Sequence, residues 1–243
     1  IAIGMGSMAT NTIGSYNVAM GFQALTANTT ASNNTAVGYQ AGYSNTIGEI
    51  TAVGNQSLYL NTTGVANTAV GYYALNTNSI GSYNTAVGRS ALLNNTTGTY
   101  NTAVGYQAGY SNTTGGVHAF GASVLYANTT GSGNAGFGGY DAAAGGAAAS
   151  LRYNTTGSNN SAFGVSSLTN NTTGNNNTAV GYGSLYSNTT ASNLTAVGYQ
   201  SLYSNTTGVE NTAVGYQALK TNTVRSEEHT SELQSRLHLV CRL

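Results

Sequence analysis

Apolar and polar positions along this chain follow a unit that recurs every 17 residues: Asn-Thr-Ala-Val-Gly-Tyr-Gln-Ala-Leu-Tyr-Ser-Asn-Thr-Thr-Gly-Ser and one variable position. Anchored on the glycine of Ala-Val-Gly, the unit falls at Gly4, Gly21, Gly38, Gly54, Gly71, Gly88, Gly105, Gly121, Gly138, Gly164, Gly181, Gly198 and Gly215. The steps are 17 residues, with two of 16 and one of 26. The long step carries a nine-residue insertion within Tyr140–Arg152. A period of this length marks a stacked repeat. A unit so short buries its apolar face only against its neighbours.

The columns of the repeat predict the element type. The residue before the anchor glycine is apolar in all thirteen units, from Ile3 and Met20 through Val37, Val70 and Val87 to Phe120, Phe137, Phe163 and Val214. Leu25, Leu58, Leu75, Leu92, Leu125, Leu168, Leu185, Leu202 and Leu219 form a second apolar column. Together these predict a thin core with valine and leucine inward. Alanine stands before the apolar residue in twelve of thirteen units, with Gly136 the exception. So small a column predicts close approach of another backbone, either across the coil or from a neighbouring chain. Three coils sharing an axis would bury it and form a trimer through alanine. Short Thr-Ala-Val runs bounded by Gly and Asn read as strands, and no 3.6-residue period is present. Gly and Asn columns are expected to supply the turns, since both tolerate positive φ. The strictest polar column, Asn11, Asn28, Asn45, Asn61 and so on to Asn222, is expected to hydrogen-bond from rung to rung, as are the threonines. The fold predicted for residues 1–224 is all-β, a parallel β-solenoid of thirteen rungs. At about 4.8 Å per rung it is roughly 60 Å long.

Composition narrows the function. Lysine and arginine number 6, aspartate and glutamate 6, and net charge is zero. The basic patch expected of a nucleic-acid or anionic-membrane binder is therefore missing. No apolar run approaches the ~18 residues of a membrane span. The chain opens in mid-repeat, which suggests an internal fragment. After Val224 the pattern demands glycine and finds Arg225. Residues 225–243 hold half of all charges, two of the three histidines and the only cysteine, Cys241. The run Arg225–Ser235 resembles the translation of a sequencing-library adapter. Residues 225–243 are therefore expected to be read-through, standing apart from the rod, and Cys241 carries no redox information.

The units at 67–75 and 211–219 are similar to the head repeats of trimeric autotransporter adhesins, the YadA-like family. They also resemble the repeat shafts of phage tail-fibre-like proteins. Asn211-Thr212-Ala213-Val214-Gly215 matches the Asn-Ser-Val-Ala-Ile-Gly hallmark of those heads only approximately, and the family unit is shorter. The resemblance implies a left-handed parallel β-roll, a homotrimer and a role in attachment at a bacterial cell surface or on a virion.

Candidate chemistry is sparse. Glu49 and Glu210 lie nine rungs apart, roughly 43 Å at strand spacing, too far for an acid/base pair. His118 and Asp141 sit on adjacent rungs but in different columns. No catalytic, cofactor or metal constellation is expected, and the chain reads as no enzyme. Asn-x-Thr sequons such as Asn28 and Asn205 are expected to act as turn residues rather than glycan carriers. Tyr39, Tyr72, Tyr106, Tyr182, Tyr199 and Tyr216 follow the glycine, and Tyr43, Tyr59, Tyr110, Tyr126, Tyr186 and Tyr203 sit four further on. The first set, with Asp141 and Arg152 of the inserted loop, is the candidate ligand-binding surface for a host-cell, matrix or glycan partner. Mutual ring stacking is the competing expectation. The function expected is an adhesive surface-fibre segment, with a tail-fibre shaft as the alternative. An ice-binding solenoid ranks below both, because it needs a regular Thr-x-Thr face and the paired threonines here are adjacent.

Overall fold

The computed structural model describes residues 1–139 and 148–226. Thirteen strands form one parallel sheet in chain order. They are β1 (Ala2–Ile3), β2 (Val18–Met20), β3 (Thr35–Val37), β4 (Ile50–Val53), β5 (Asn67–Val70), β6 (Thr85–Val87), β7 (Thr102–Val104), β8 (Val117–Phe120), β9 (Asn134–Phe137), β10 (Ser161–Phe163), β11 (Thr178–Val180), β12 (Thr195–Val197) and β13 (Thr212–Val214). Like pairs with like across each step, as Thr68, Ala69 and Val70 do with Thr85, Ala86 and Val87. The 16-residue steps keep this register, and so does the 26-residue step, where Gly136 lies opposite Ala162. The described residues form an all-β solenoid without a helix.

Valine and alanine exchange the places expected of them. Strand side chains alternate sides. In eleven of the thirteen rungs the column alanine is buried inside, with Gly136 in its place in β9 and Ala2 exposed in the end strand β1. Ala69, Ala86 and Ala103 are 0% exposed, while Val70, Val87 and Val104 are each 37% exposed. The core is built of alanine and leucine, and the valine column lies on the outer face beside the threonines. Alanine is small because it packs across the narrow interior of its own coil, which removes it as a contact between chains.

The bends also differ from expectation. The anchor glycines do hold φ between 118° and 140°. A Cβ on Gly88 would sit 2.5 Å from the Gly105 carbonyl oxygen, so backbone and rung spacing both demand glycine there. The strict asparagines, however, keep ordinary φ. Left-handed conformations fall instead on the leucines, with φ of 48° to 53°, and on residues such as Gln40, Gln107, Tyr83 and Asn176. Left-handed φ costs a side-chain-bearing residue about 1–2 kcal/mol. Burial of the leucines and rung-to-rung hydrogen bonds, such as Leu92 N–H to the Ala108 carbonyl at 2.9 Å, offset it.

Two buried asparagine columns tie the rungs together. In the strict column Asn61 donates to Asn45 Oδ1, Asn78 to Asn61 and Asn95 to Asn78, each at 2.8 Å. Asn95 also donates to the Gly98 carbonyl at 3.1 Å, closing its own corner. A second column, Asn17, Asn34, Asn67, Asn84, Asn101, Asn134, Asn160, Asn177 and Asn211, is buried at the start of the strand. Its Oδ1 accepts the next rung's backbone N–H, as Asn84 does from Asn101 at 2.9 Å. The threonine hydroxyls do not pair with one another as expected. They donate to backbone carbonyls one rung on, Thr62 to Ser79 at 3.0 Å.

Departures from the consensus compensate in volume. Where the leucine column has Gly42 and Gly109, the second asparagine column has Ile50 and Val117 in the following strand. A Cβ on Gly42 would meet Ile50 Cδ1 at 2.7 Å, and one on Gly109 would meet Leu92 Cδ2 at 3.0 Å. The backbone bonds survive, since Ile50 N–H donates to Asn34 Oδ1 at 2.8 Å. Gly136, the exception in the alanine column, faces Val124, whose Cγ1 lies 2.5 Å from where a Cβ would be. Close packing makes each of these pairs a single unit of volume.

Beyond the insertion the coil resumes at once. Ser166 N–H donates to the Ala148 carbonyl at 2.8 Å, and Leu151 is back in the leucine column with no exposure. The final corner extends one residue beyond the expected boundary. The Arg225 carbonyl accepts from Asn222 Nδ2 at 3.2 Å, as the corner glycines do elsewhere. Residues 227–243, which hold the rest of the adapter-like tail, lie outside the described residues.

Candidate functional site

The outer surface carries the candidate side chains in columns parallel to the rod axis. Tyr39, Tyr72, Tyr106, Tyr182, Tyr199 and Tyr216 all lie exposed. The rung spacing stacks Tyr182, Tyr199 and Tyr216 along the axis, whereas Asn55, Arg89 and Ala122 separate Tyr39, Tyr72 and Tyr106 each from the next tyrosine in the column. Phe22 and Tyr39 stack with centroids 5.5 Å apart, Tyr182 and Tyr199 at 5.6 Å, and Tyr199 and Tyr216 at 5.3 Å. Planes within these pairs deviate by 8° to 13°. Within these pairs the rings cover one another's faces. The second tyrosine column stacks likewise, Tyr110 on Tyr126 and Tyr186 on Tyr203 at 5.0 Å each. The stacking expectation thus describes these pairs, while Tyr72 is tilted at 55° to Tyr73 and Tyr216 is 76% exposed at the end of its stack.

Basic residues sit where the ladders are interrupted. Arg89 occupies a tyrosine position, its guanidinium carbon 5.5 Å from the Tyr72 ring and 5.9 Å from that of Tyr106. Arg152 lies 5.5 Å from Tyr126, and Lys220 lies 5.9 Å from Tyr203. Each cation draws on ring quadrupoles in a region with few carboxylates. Arg152 Nε and Nη1 are buried without a hydrogen-bond partner, and the side chain as a whole is partly exposed. Asp141, its expected companion, lies outside the described residues.

Two tyrosines have perturbed phenols. A hydrogen bond with Tyr72 holds Tyr73 above the usual tyrosine range, and repulsion from Tyr72, burial and Tyr39 add to it. Burial raises Tyr203, with Tyr186 contributing. Both phenols stay neutral at physiological pH, so neither is an activated base. His118 is exposed on β8 in the threonine column, between Thr102 and Ala135. Among the described residues no cluster of three or more His, Cys, Asp or Glu could hold a metal ion. No helix among them is long and apolar enough to cross a membrane. The sequon asparagines Asn28 and Asn205 are 0% exposed, so in the folded rod they are rungs of the ladder and closed to modification.

The feature that the sequence reading placed on the wrong side is the outer sheet face. Threonine and valine alternate there, and the valine column forms a half-covered apolar strip running the length of the rod. At β8, β9 and β10 the strip becomes Phe120, Phe137 and Phe163, stacked at 4.6 Å and 4.8 Å. Strand parity was the available signal. Asparagine and alanine share one parity in Asn-Thr-Ala-Val, threonine and valine the other, and an inward asparagine ladder forces valine out. Family models, curated proteins and solved structures yielded no match to this chain.

Proposed function

We propose that this chain is a rod-forming structural and adhesive segment of an extracellular fibre, assembled as a homotrimer and working at a bacterial cell surface. The observation that supports it is the outward valine and phenylalanine strip. A strip roughly 60 Å long and about 10 Å wide, one three-residue strand across, offers roughly 600 Å² per chain. Three such strips meeting on one axis bury roughly 1,800 Å² across the trimer, about 600 Å² for each pair of chains, so the assembly is held by its three contacts together. Contiguous apolar surface of that size on a soluble protein marks an association face. A trimer would cover it and leave the second tyrosine column, Tyr43 to Tyr203, and the exposed corner threonines such as Thr63 outside as display surface. The assembly face is thus moved from the alanine column to the valine column. A tail-fibre shaft uses the same architecture and remains the alternative. The flanking sequence separates the two: a coiled-coil stalk with a membrane anchor belongs to the adhesin, and an intramolecular chaperone domain belongs to the fibre.

The same face supports a second reading. Thr-x-Val on a flat sheet, left open in a monomer, presents regularly spaced hydroxyls and methyls that would order water, as an ice-binding surface does. It ranks lower because His118, Ala135 and the three phenylalanines interrupt the lattice at mid-rod. Light scattering on the full chain tests the proposal. Three times the chain mass of 24.6 kDa is expected. A monomer that shows thermal hysteresis on freezing would favour the ice-binding reading instead.

A further inference from the structure

The outer strip changes character in three consecutive rungs, and it does so on both sides of the anchor glycine. In β3 to β7 and β11 to β13 the residue before the glycine is valine, and in most of these rungs the residue after it is tyrosine, with Asn55 and Arg89 the exceptions. In β8, β9 and β10 the residue before it is Phe120, Phe137 or Phe163, and the residue after it is Ala122, Gly139 or Val165. Bulk moves across the glycine from one column to its neighbour. The threonine column breaks in the same rungs, with His118, Ala135 and Ser161 in its place. The three rings stack with planes 6° and 9° apart, and Phe137 and Phe163 remain partly exposed.

We propose that this phenylalanine block is a register key for association with two further copies of this chain. The proposal rests on the trimeric reading above. Rods of near-identical rungs have a slippage problem. Sliding one chain by a rung along its neighbours surrenders one rung of contact and re-forms all the others, so a strip of valine alone specifies register weakly. A block of three large side chains removes that degeneracy. In register, phenylalanine meets phenylalanine level by level, and Ala122 and Val165 beside it are smaller than the tyrosines of the neighbouring rungs. A slip of one rung sets the end ring of the block against Val104 or Val180, whose flanking Tyr106 or Tyr182 fills the space, and longer slips add the second and third rings. Overpacking of this kind is unfavourable. The block is flanked by such a rung on each side, so a slip in either direction is penalised.

The experiment uses the full chain with Tyr106 replaced by the photoreactive analogue p-benzoylphenylalanine, and separately with Tyr182 so replaced. Each is compared with and without Phe120→Val, Phe137→Val and Phe163→Val together. Valine is native to eight of the thirteen rungs at this position, so the triple variant is expected to fold, and its melting curve checks this. Irradiated covalent dimers are isolated and their crosslinks mapped by mass spectrometry. With the key intact, adducts should fall within a single rung of the probe. Without it, the trimer mass should persist while adducts spread over two or more rungs. A monomer mass for the parent chain overturns the trimeric reading and the key with it. A trimer whose adducts stay on one rung after the triple substitution, or spread before it, overturns the key alone. A trimer that yields no dimer from either probe removes this strip from the interface and overturns the key as well.

Discussion

Neighbours in one strand, Ala86 and Val87, face opposite environments. Ala86 is sealed inside the coil at 0% exposure and Val87 stands on the outer face at 37%. The more hydrophobic side chain is the outer one. Hydrophobicity therefore does not rank these columns, and available width does. A 17-residue coil leaves room for a methyl group opposite the leucines and for little more. Valine suits a strand on its outer face as well. The inner column records how one chain folds, and in the proposed trimer the outer column records what the chain meets.

That contrast can be broken most severely from the inside. Ala86→Leu should overpack the core by about 1–3 kcal/mol. Repeating it at Ala69 and Ala103 should unfold the rod near room temperature, as read by circular dichroism. Leu92→Ala, which empties the other half of the core, should cost about 2–5 kcal/mol and lower the melting temperature correspondingly. Asn95→Ala comes next. It removes the donor to Asn78 Oδ1 and breaks the ladder to Asn112, while the Gly98 carbonyl keeps Asn84 and Asn112 keeps the Gly115 carbonyl, with an expected loss of about 1–3 kcal/mol. Gly42→Leu should destabilise through its clash with Ile50, and adding Ile50→Asn should restore most of the loss by recreating the consensus rung. A cycle in which the two changes simply add would disprove that coupling. The smallest effect belongs to the outer column. In dissociated chains Val87→Ala should change stability by about 0.5 kcal/mol or less, the usual range for surface positions.

Most of the fold could be read directly from the amino-acid order. The period fixed the rungs, the glycine column fixed the sharp bend after each strand, and Asn11 to Asn222 were recognisable as a ladder. The orientation of valine was missed because its hydrophobicity was weighed ahead of strand parity, which sets it opposite the buried asparagine and alanine. The left-handed leucines were missed because residue propensity alone argues against them, and only their burial and rung-to-rung bonds explain them. Ile50 and Val117, each within a 16-residue step, carry no visible role in the sequence. Only the space beside Gly42 and Gly109 shows them to be the missing leucines moved to another column. The tyrosines were found as columns, but their use on one another depends on the direction of stacking, which spacing alone leaves open.

The most direct test of the account compares thiol reactivity at the two neighbouring positions. Ala86→Cys and Val87→Cys, each in a Cys241→Ser background, would be labelled with a maleimide over a wide range of protein concentration. The account predicts that the cysteine at 86 is protected at every concentration at which the rod is folded. The cysteine at 87 should be protected only at high concentration and should become reactive on dilution, as the chains separate. Faster labelling at 86 than at 87 in the folded rod would contradict the inward alanine, and a rate at 87 independent of concentration would contradict the covered outer strip.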